Sequence, residues 1–351
     1  MYAPRVHGVR DMRYDEVPEP EPGPGEILLQ VSLCGICGSD VHLYDAGATL
    51  DGLVMGHEFV GTIAALGAGV DGWNIGERVM EAMSEPCGGC DFCSAGAPEL
   101  CFHHYILESE VGADVHGRGR VVVGGYAPYL VMEANRLMRV PDEFSDEAAA
   151  NVEAAAVGFH AVSRSGIRLG DSVVIFGAGP IGLYLLQSAR AAGAGRVYMV
   201  EPVASRAAVA RTLGADQVLD PAASPDVVAE LVDLTQGGPD LVIEGAGVPM
   251  TLQQALQVAR PGGHVTLVGV SLRPSPLNPA LIVEKELHVR SSLALIRQDV
   301  PRTIELFRSG AMNVEPMITG TVPPWEVGDA MDRLLHPNDE IKILVNPRLQ
   351  R

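Results

Sequence analysis

The chain is 351 residues long and carries a formal charge of −19 at pH 7, with 47% hydrophobic and 20% charged residues. This length is about twice that of a typical domain, so we predict two domains. The composition, with 40 Gly and 25 Pro, is that of a globular protein and excludes a disordered or collagen-like chain. The acidic balance and the lack of a basic run argue against nucleic acid and against an anionic membrane surface as partners.

The first residues and the cysteine count suggest the cellular setting. Residues 1–6 contain no apolar segment typical of an export signal, and no stretch approaches the roughly 18 uninterrupted apolar residues of a membrane span. We therefore expect a soluble, cytoplasmic protein. Six cysteines are too few to form the main scaffold, and disulfides are disfavoured in a reducing compartment. Metal binding or catalysis is the better expectation for these thiols.

The first part of the chain, residues 1–150, is rich in short strands. Segments 25–31, 59–65 and 78–80 are largely apolar and are separated by Gly, Pro and Asp turns. This pattern predicts an all-β or barrel-like domain.

Beyond residue 150 the pattern changes to strands that alternate with helices, beginning with strand 173–176 and helix 181–192. Fully apolar strands of this length, alternating with helices, indicate a parallel sheet that is covered on both faces. We therefore predict an α/β, doubly wound domain over residues 151–290. Residues 291–351 include one good helix and a final strand, which is too little for a third domain, and we expect them to complete the first domain.

A glycine-rich turn follows the first strand of the doubly wound domain. The pattern G-x-G-x-x-G joins that strand to a helix, which is the context required for binding a dinucleotide pyrophosphate. The candidate residues of this turn are Gly177, Gly179, Pro180, Ile181 and Gly182. Glu201 ends the next strand, where a carboxylate would bind the ribose hydroxyls and repel a 2′-phosphate, so NAD is favoured over NADP. Arg206 lies near enough to Glu201 to weaken the preference for NAD. The alternative interpretation of the glycine pattern is an ordinary turn between a strand and a helix.

Four cysteines form a separate cluster in a loop rich in Gly and Pro. Their spacing is C-x2-C-x2-C-x7-C, at Cys87, Cys90, Cys93 and Cys101. Four thiolates on a short loop suit a closed, tetrahedral structural zinc site. A disulfide pair and an iron–sulfur cluster are the alternatives. Cys34 lies outside this pattern, and we expect it to be buried packing.

A second group of metal-binding residue types precedes this cluster. Cys37, His57 and Glu58 supply a thiolate, an imidazole and a carboxylate within about twenty residues of one another. Mixed sulfur, nitrogen and oxygen ligation, with one position left to water or substrate, is typical of catalytic zinc. Core packing of the cysteine and a surface His–Glu pair are the alternatives.

Together these motifs resemble those of the zinc-dependent medium-chain alcohol dehydrogenases, and the resemblance covers nearly the full chain. They are, in chain order, GHEFVG at 56–61 followed by Gly67 and Val70, the cysteine lobe at about 85–102, and the loop at 177–182. The resemblance implies a GroES-like catalytic domain over 1–150, a Rossmann NAD-binding domain over 151–290, and a return of 291–351 to the catalytic domain. It also implies two zinc ions per subunit, one catalytic and one structural.

The resemblance further implies that Cys37 and His57 ligate the catalytic zinc. Where family members acting on simple primary alcohols have a second cysteine, this chain has Glu153, as in the branch resembling sorbitol, threonine and butanediol dehydrogenases. In that branch Glu58 or Glu153 is the third ligand, although Ala154 here replaces the usual proline. Carboxylate ligation makes zinc harder and more electrophilic, so a diol, polyol or amino alcohol is expected in place of ethanol.

A proton relay is also implied by the resemblance. Ser39 matches the first hydroxyl of the relay, and His42 matches the histidine that passes the proton to solvent through the coenzyme ribose. The alternatives are a turn cap for Ser39 and a surface imidazole for His42. Asp40 is expected to orient the loop or a metal ligand, and Tyr44 and Leu293 are candidates for lining the substrate pocket.

The leading prediction is therefore an NAD-dependent dehydrogenase that converts a secondary alcohol to a ketone. An NADPH-dependent reductase of the same fold and a non-catalytic family member are the alternatives. The resemblance implies a homodimer or homotetramer, and the segment 286–293 at the edge of the coenzyme sheet is the candidate contact.

Overall fold

The structure, a computed structural model, describes residues 1–46, 52–83, 86–101, 124–271, 273–336 and 338–349. Residues 85 and 102, at the ends of the predicted cysteine lobe, lie outside the described residues. The chain divides into two units. The first comprises Met1–Glu153, Ile296–Val300 and Ile318–Arg351, and the second comprises Ala154–Leu295 and Pro301–Met317.

The strands are, in chain order, β1 (Tyr2–Gly8), β2 (Asp11–Glu16), β3 (Glu26–Gly35), β4 (Glu58–Leu66), β5 (Arg78–Glu81), β6 (Tyr129–Glu133), β7 (Leu137–Arg139), β8 (Ser172–Phe176), β9 (Arg196–Val200), β10 (Gln217–Leu219), β11 (Leu241–Glu244), β12 (His264–Leu267), β13 (His288–Ser291), β14 (Ile318–Val322) and β15 (Lys342–Val345). The helices are α1 (Gly38–Ala46), α2 (Asp91–Ser94), α3 (Asp146–Ala150), α4 (Val152–Arg164), α5 (Pro180–Ala191), α6 (Ala204–Thr212), α7 (Val227–Leu234), α8 (Pro249–Val258), α9 (Ala280–Glu284), α10 (Asp299–Arg308) and α11 (Val327–Leu334). Short 3-10 turns connect several of them.

The first unit is built on a seven-stranded sheet with the order β14-β15-β3-β4-β5-β7, in which β6 also pairs with β3. All of its pairings are antiparallel except that of β14 with β15. Burial alternates along the start of the long strand β3, where Ile27, Leu29 and Val31 are completely buried in the core while Leu28 and Gln30 are half-buried. The C-terminal strand β15 lies beside β3, so the end of the chain completes the sheet that carries the predicted metal ligands.

The second unit is a parallel six-stranded sheet with the order β10-β9-β8-β11-β12-β13. Numbered within the unit, this order is 3-2-1-4-5-6, which is the doubly wound arrangement of dinucleotide-binding sheets. The strands β8 and β11 are buried almost throughout because helices cover both faces, as their continuous apolar sequence predicts. The predicted doubly wound sheet is therefore confirmed, and β9 begins and ends at the predicted residues.

No helix in the described part of the chain is long and apolar enough to cross a membrane. Each unit has its own hydrophobic core, centred on β3 and β4 in the first and on β8 and β11 in the second. The loop after β8 lies where the strand order reverses, between β8 and β11, which is where open parallel sheets bind ligands.

Candidate catalytic metal centre and coenzyme loop

Strand pairing brings the three predicted ligands of the first centre together. Cys37 follows β3 by two residues, and His57 and Glu58 stand at the start of β4. Because β3 and β4 are antiparallel with Gly35 opposite Glu58, the end of one strand lies beside the start of the other. One ligand atom from each of Cys37, His57 and Glu58 lies within 4.8 Å of the others.

The chemistry of these donors suits a bound cation. Burial, together with the neighbouring Glu58 carboxylate, raises the pKa of Cys37, so the thiol needs a nearby positive charge to ionise at neutral pH. A thiolate, an imidazole and a carboxylate form a three-ligand set typical of zinc sites that leave one position open. The residues therefore fit a catalytic zinc ion.

Asp40 connects the two ligand-bearing segments. Its side chain is completely buried, and Oδ2 accepts hydrogen bonds from the Cys37 amide at 3.1 Å and from the Tyr126 hydroxyl at 2.5 Å. Burial acts to raise the pKa of Asp40, but the neighbouring His57 and these hydrogen bonds lower it below its usual value. Asp40 is therefore a buried carboxylate beside His57, and its Oδ1 lies 3.6 Å from His57 Nδ1, so the two groups attract each other without a hydrogen bond.

Lys342 is a residue of this centre that the sequence analysis missed. Its ammonium group forms an ion pair with Glu58 Oε2, and both side chains are 1% exposed. Burial acts to lower the pKa of Lys342, but the charges of Glu58 and Cys37 raise it above its usual value. Lys342 is therefore a buried cation. Lys342 lies in the last strand, far from the zinc motif in sequence, so no local pattern in the sequence links it to this centre.

Glu153 lies outside the convergent group. Its side chain is 8% exposed, and it is not one of the residues whose ligand atoms converge in the described part of the chain. Its charge nevertheless contributes to the raised pKa of Lys342. The geometry therefore brings Glu58, rather than Glu153, into contact range of Cys37 and His57.

The two predicted relay residues lie on one side of helix α1. Ser39 and His42 are three positions apart, which places them on the same helix face. The Ser39 hydroxyl oxygen is buried and has no hydrogen-bond partner among the described residues, whereas His42 is exposed. The arrangement offers a buried hydroxyl followed by an imidazole in contact with water.

The expectation that Tyr44 lines a pocket is wrong. Tyr44 is 2% exposed within the core of the first unit, and its hydroxyl lies 3.1 Å from both Arg10 O and Asp332 Oδ1. The aromatic ring occupies the inner face of α1, so it packs the helix against the core. Leu293, the other candidate, is 54% exposed.

The four-cysteine cluster is assembled as its spacing predicts. The four sulfur atoms lie within 4.8 Å of one another, and all four are free thiols. The Cys87 and Cys93 sulfurs are 3.9 Å apart, too far for a disulfide. Hydrogen bonds, first from the Cys93 backbone, lower the pKa of Cys90 to about 6. Closely spaced sulfur ligands of this kind fit a closed structural zinc site.

The glycine-rich loop joins β8 to α5 in the second unit. Gly177 has a φ of +92°, and a Cβ at Gly182 would clash with the Gly177 carbonyl, so both positions require glycine. Open space lies beside Gly179, which caps the N-terminus of α5 with Pro180 in its first turn. The N-terminus of α5 thus begins beside an open space, which fits a dinucleotide pyrophosphate.

Two acidic residues accept hydrogen bonds from backbone amides in the turns around this loop. Glu201 is 4% exposed, and its two oxygens accept hydrogen bonds from the amides of Ala178 at 2.7 Å and Val203 at 2.9 Å. Each oxygen retains a lone pair for a further donor. Arg206 lies in the first turn of α6 and is half-buried. Glu244, which the sequence analysis missed, accepts hydrogen bonds from two amides in the turn after β11.

Comparison with known proteins identifies both units. Residues 23–142 match the alcohol dehydrogenase GroES-like domain, and residues 180–309 match the zinc-binding dehydrogenase family. The (R,R)-butanediol dehydrogenase of Bacillus subtilis (strain 168) is 33% identical over 362 residues, which cover 99% of this chain and 100% of that protein. The sorbitol dehydrogenase of the same organism is 31% identical over 355 residues, which cover 99% of this chain and 97% of that protein.

Solved structures with bound coenzyme are similar over nearly the whole chain. An alcohol dehydrogenase from Escherichia coli CFT073 in complex with NADH has a TM-score of 0.87 at 30% identity, with 99% of each chain covered. A zinc-binding dehydrogenase from Sinorhizobium meliloti 1021 bound to NADP has a TM-score of 0.83 at 32% identity, again with 99% of each chain covered. The chain therefore belongs to the zinc-dependent medium-chain alcohol dehydrogenase family, oxidoreductases whose cofactors are zinc and NAD or NADP.

Proposed function

We propose that this chain oxidises a secondary alcohol, a diol, polyol or amino alcohol, to the ketone with NAD as hydride acceptor. The observation that carries the proposal is the convergence of Cys37, His57 and Glu58 within 4.8 Å. The butanediol and sorbitol dehydrogenases among its relatives support a substrate with neighbouring hydroxyl groups. A carboxylate in place of a second thiolate makes the metal harder, which favours such oxygen-rich substrates.

In the proposed centre the chain's own residues position the reaction. Cys37, His57 and Glu58 hold the catalytic zinc, and Asp40 orients the imidazole of His57. When bound, zinc would supply the Lewis acid that lowers the pKa of the substrate hydroxyl, and NAD would supply the hydride acceptor. Burial of these ligands excludes water and strengthens their electrostatic effect on the substrate.

Ser39 and His42 would carry the proton away. The buried, unpartnered hydroxyl of Ser39 can accept a hydrogen bond from the substrate hydroxyl and pass its own proton on. The exposed imidazole of His42, one helical turn later, can release the proton to water. The alternative roles, a turn cap and a solvated side chain, would leave the rate independent of either residue.

The coenzyme is proposed to be NAD, held by the loop of Gly177, Gly179, Pro180, Ile181 and Gly182. Glu201 supports NAD because its carboxylate would repel a 2′-phosphate. Arg206 and the NADP-bound relative favour the second candidate, a reductase that uses NADPH. The ratio of kcat/KM for NADH and NADPH distinguishes the two, and a strong NADPH preference would reject the NAD assignment.

The remaining features of the proposal concern the whole subunit. Residues 1–150 with the returning chain of 291–351 would form the catalytic domain and residues 151–290 the coenzyme domain, except that 291–295 and 301–317 group with the second unit. Cys87, Cys90, Cys93 and Cys101 would hold the structural zinc. The exposed edge strand β13, within segment 286–293, supports a homodimer or homotetramer. The free thiols support a reducing, cytoplasmic location, and the charge of −19 supports a partner set without nucleic acid or membrane.

The proposal is tested by an activity screen combined with metal analysis. The purified protein is assayed with NAD against diols, polyols and amino alcohols by NADH absorbance, and zinc per subunit is measured. We expect turnover and two zinc ions. Cys37→Ser should lose one zinc ion and NADH formation together, because the thiolate ligand is gone.

Cys34→Ala is the matched control. Cys34 is a buried cysteine three residues before Cys37, and its sulfur lies outside the convergent group. This variant should keep both zinc ions and its activity. Unchanged turnover and zinc content in Cys37→Ser would reject the proposed centre.

A further inference from the structure

Lys342 is a buried cation that touches a candidate metal ligand. Its Nζ donates to Glu58 Oε2 and, at 3.3 Å, to the Ile36 carbonyl. Since both side chains of the pair are 1% exposed, water cannot screen their interaction. The ion pair is therefore a strong constraint on where the Glu58 carboxylate can lie.

Gly35 makes this contact possible. A Cβ at this position would clash with Glu58 Oε2 and would lie 3.0 to 3.1 Å from the Lys342 side chain. Gly35 stands opposite Glu58 in β4 and opposite Leu344 in β15. The missing side chain in β3 thus opens the space in which Glu58 from one neighbouring strand meets Lys342 from the other.

The pair limits how Glu58 can bind a metal ion. Lys342 occupies one lone pair of Oε2, so a metal that bound both carboxylate oxygens would have to share Oε2 with the ammonium group. The positive charge of Lys342 also opposes a cation nearby. Without a metal, however, Lys342 compensates a carboxylate that would otherwise be buried and unpaired, which is strongly destabilising.

We propose that Lys342 is a positioning residue of the metal centre. It restricts Glu58 to binding the metal through one oxygen, and it compensates the negative charge of Glu58 when the metal is absent. This inference rests on the metal centre of the proposed function. A weakly held carboxylate leaves the metal more electrophilic and leaves a coordination position for the substrate. Lys342 thus lowers the affinity of the centre for the metal and keeps one coordination position open for the substrate.

The test measures metal affinity of the intact protein and the spectrum of its cobalt form. Zinc affinity is determined by competition with a chromogenic chelator for the unaltered protein, Lys342→Met and Lys342→Arg. Cobalt(II) is then substituted at the centre, because its visible absorption is intense at four-coordinate sites and weaker at five-coordinate sites. Neither readout depends on turnover.

Lys342→Met should bind zinc about ten-fold or more tightly, since the competing charge is removed. Its cobalt form should absorb less, because Glu58 can then bind through both oxygens. Lys342→Arg keeps the charge and should remain within about two-fold of the unaltered protein. In a Glu58→Gln background the effect of Lys342→Met should shrink to about three-fold or less, because Lys342 acts through that carboxylate.

Equal or weaker zinc binding by Lys342→Met would overturn the inference. Lys342→Gln is a second neutral variant, and failure of both neutral variants to fold with zinc present, while Lys342→Arg folds, would assign Lys342 to folding alone and overturn it too. Failure of the proposed function looks different, because Cys37→Ser would then keep the zinc content of the unaltered protein. If Cys37→Ser loses one zinc ion and Lys342→Met changes nothing, only the role of Lys342 is rejected.

Discussion

Asp40 Oδ1 lies 3.6 Å from His57 Nδ1 in the interior of the first unit. Its other oxygen is held by the Cys37 amide and the Tyr126 hydroxyl. One buried carboxylate thus orients the imidazole of one candidate ligand and the backbone of another. The 3.6 Å contact is longer than a hydrogen bond, so the attraction of Asp40 for the ring is electrostatic, and it favours a proton on Nδ1.

Asp40→Asn should lower the affinity of the catalytic centre for zinc by about 10- to 100-fold, because the imidazole loses its orienting charge. The change is measured by chelator competition, and the four-cysteine site serves as an internal control. Tyr126→Phe removes the 2.5 Å hydrogen bond to Asp40 and a longer one, of 3.5 Å, to the Gly35 carbonyl, and it should have a smaller effect because Asp40 keeps its charge. Unaltered affinity in Asp40→Asn would show that this carboxylate does not position His57.

Cys101→Ser should remove the structural zinc and leave the catalytic zinc bound. Cys101 is 1% exposed, and its sulfur also accepts a hydrogen bond from the Cys87 amide at 3.4 Å. Losing one of four thiolates opens the closed site, so the zinc content should fall from two ions to one and the melting temperature should drop. Retention of two zinc ions would contradict a four-thiolate site.

Two glycines of the coenzyme loop should respond differently to alanine. Gly182→Ala introduces a clash with the Gly177 carbonyl and should destabilise the fold by about 1–3 kcal/mol. At Gly179 the added methyl group enters open space, so stability should be kept while NADH binding weakens by about ten-fold, or about 1.4 kcal/mol. Denaturant unfolding and NADH fluorescence titration separate the two effects. Normal NADH affinity in Gly179→Ala would mean that the pyrophosphate does not approach this residue.

Asp240 should make stability depend on pH. It accepts hydrogen bonds from the Ser172 amide and hydroxyl and from Arg260 at 2.7 to 2.8 Å, and although burial acts to raise its pKa, these bonds lower it below 3.8. A lowered pKa adds stability above the unfolded pKa, and this stability is lost as the pH falls through the folded value. Asp240→Asn should therefore lose about 1–2 kcal/mol of unfolding free energy at pH 7.

The difference between Asp240→Asn and the unaltered protein should be constant from about pH 5 to pH 8 and should narrow below about pH 4. Denaturant unfolding across this range measures it. Asp71→Asn, at an exposed position, is the control and should show little difference at any pH. If the difference in unfolding free energy between the two proteins grew as the pH falls, the lowered pKa of Asp240 would be contradicted.

Local patterns in the sequence were sufficient to predict the coenzyme sheet and the cysteine cluster. The strands of a covered parallel sheet are continuously apolar, so β8 and β9 stand out, and the four cysteines lie within fifteen residues of one another. The glycine pattern also predicted the turn before α5, because the backbone conformation of this turn depends only on neighbouring residues.

Contacts between distant residues could not be predicted in this way. Tyr126 reaches Asp40 across 86 positions, and Lys342 reaches Glu58 across 284. Tyr44 was misjudged because an aromatic residue on a short helix suits a pocket and a core equally well, and only the packing of the folded unit decides. These partners depend on strand order and register, which periodicity does not specify.

The metal centre is complete only once strand β15, which carries Lys342, has joined the sheet of the first unit. A ribosome makes Glu58 long before Lys342, so the emerging chain carries an acidic group whose counter-charge does not yet exist. Until β15 pairs with β3, burial of the Glu58 carboxylate without a counter-charge is unfavourable, so this group is expected to stay hydrated and the first unit to stay open. Loading of zinc and closure of the first unit are then expected only after β15 has been synthesised, and a chain truncated before β15 should be a substrate for cellular proteases.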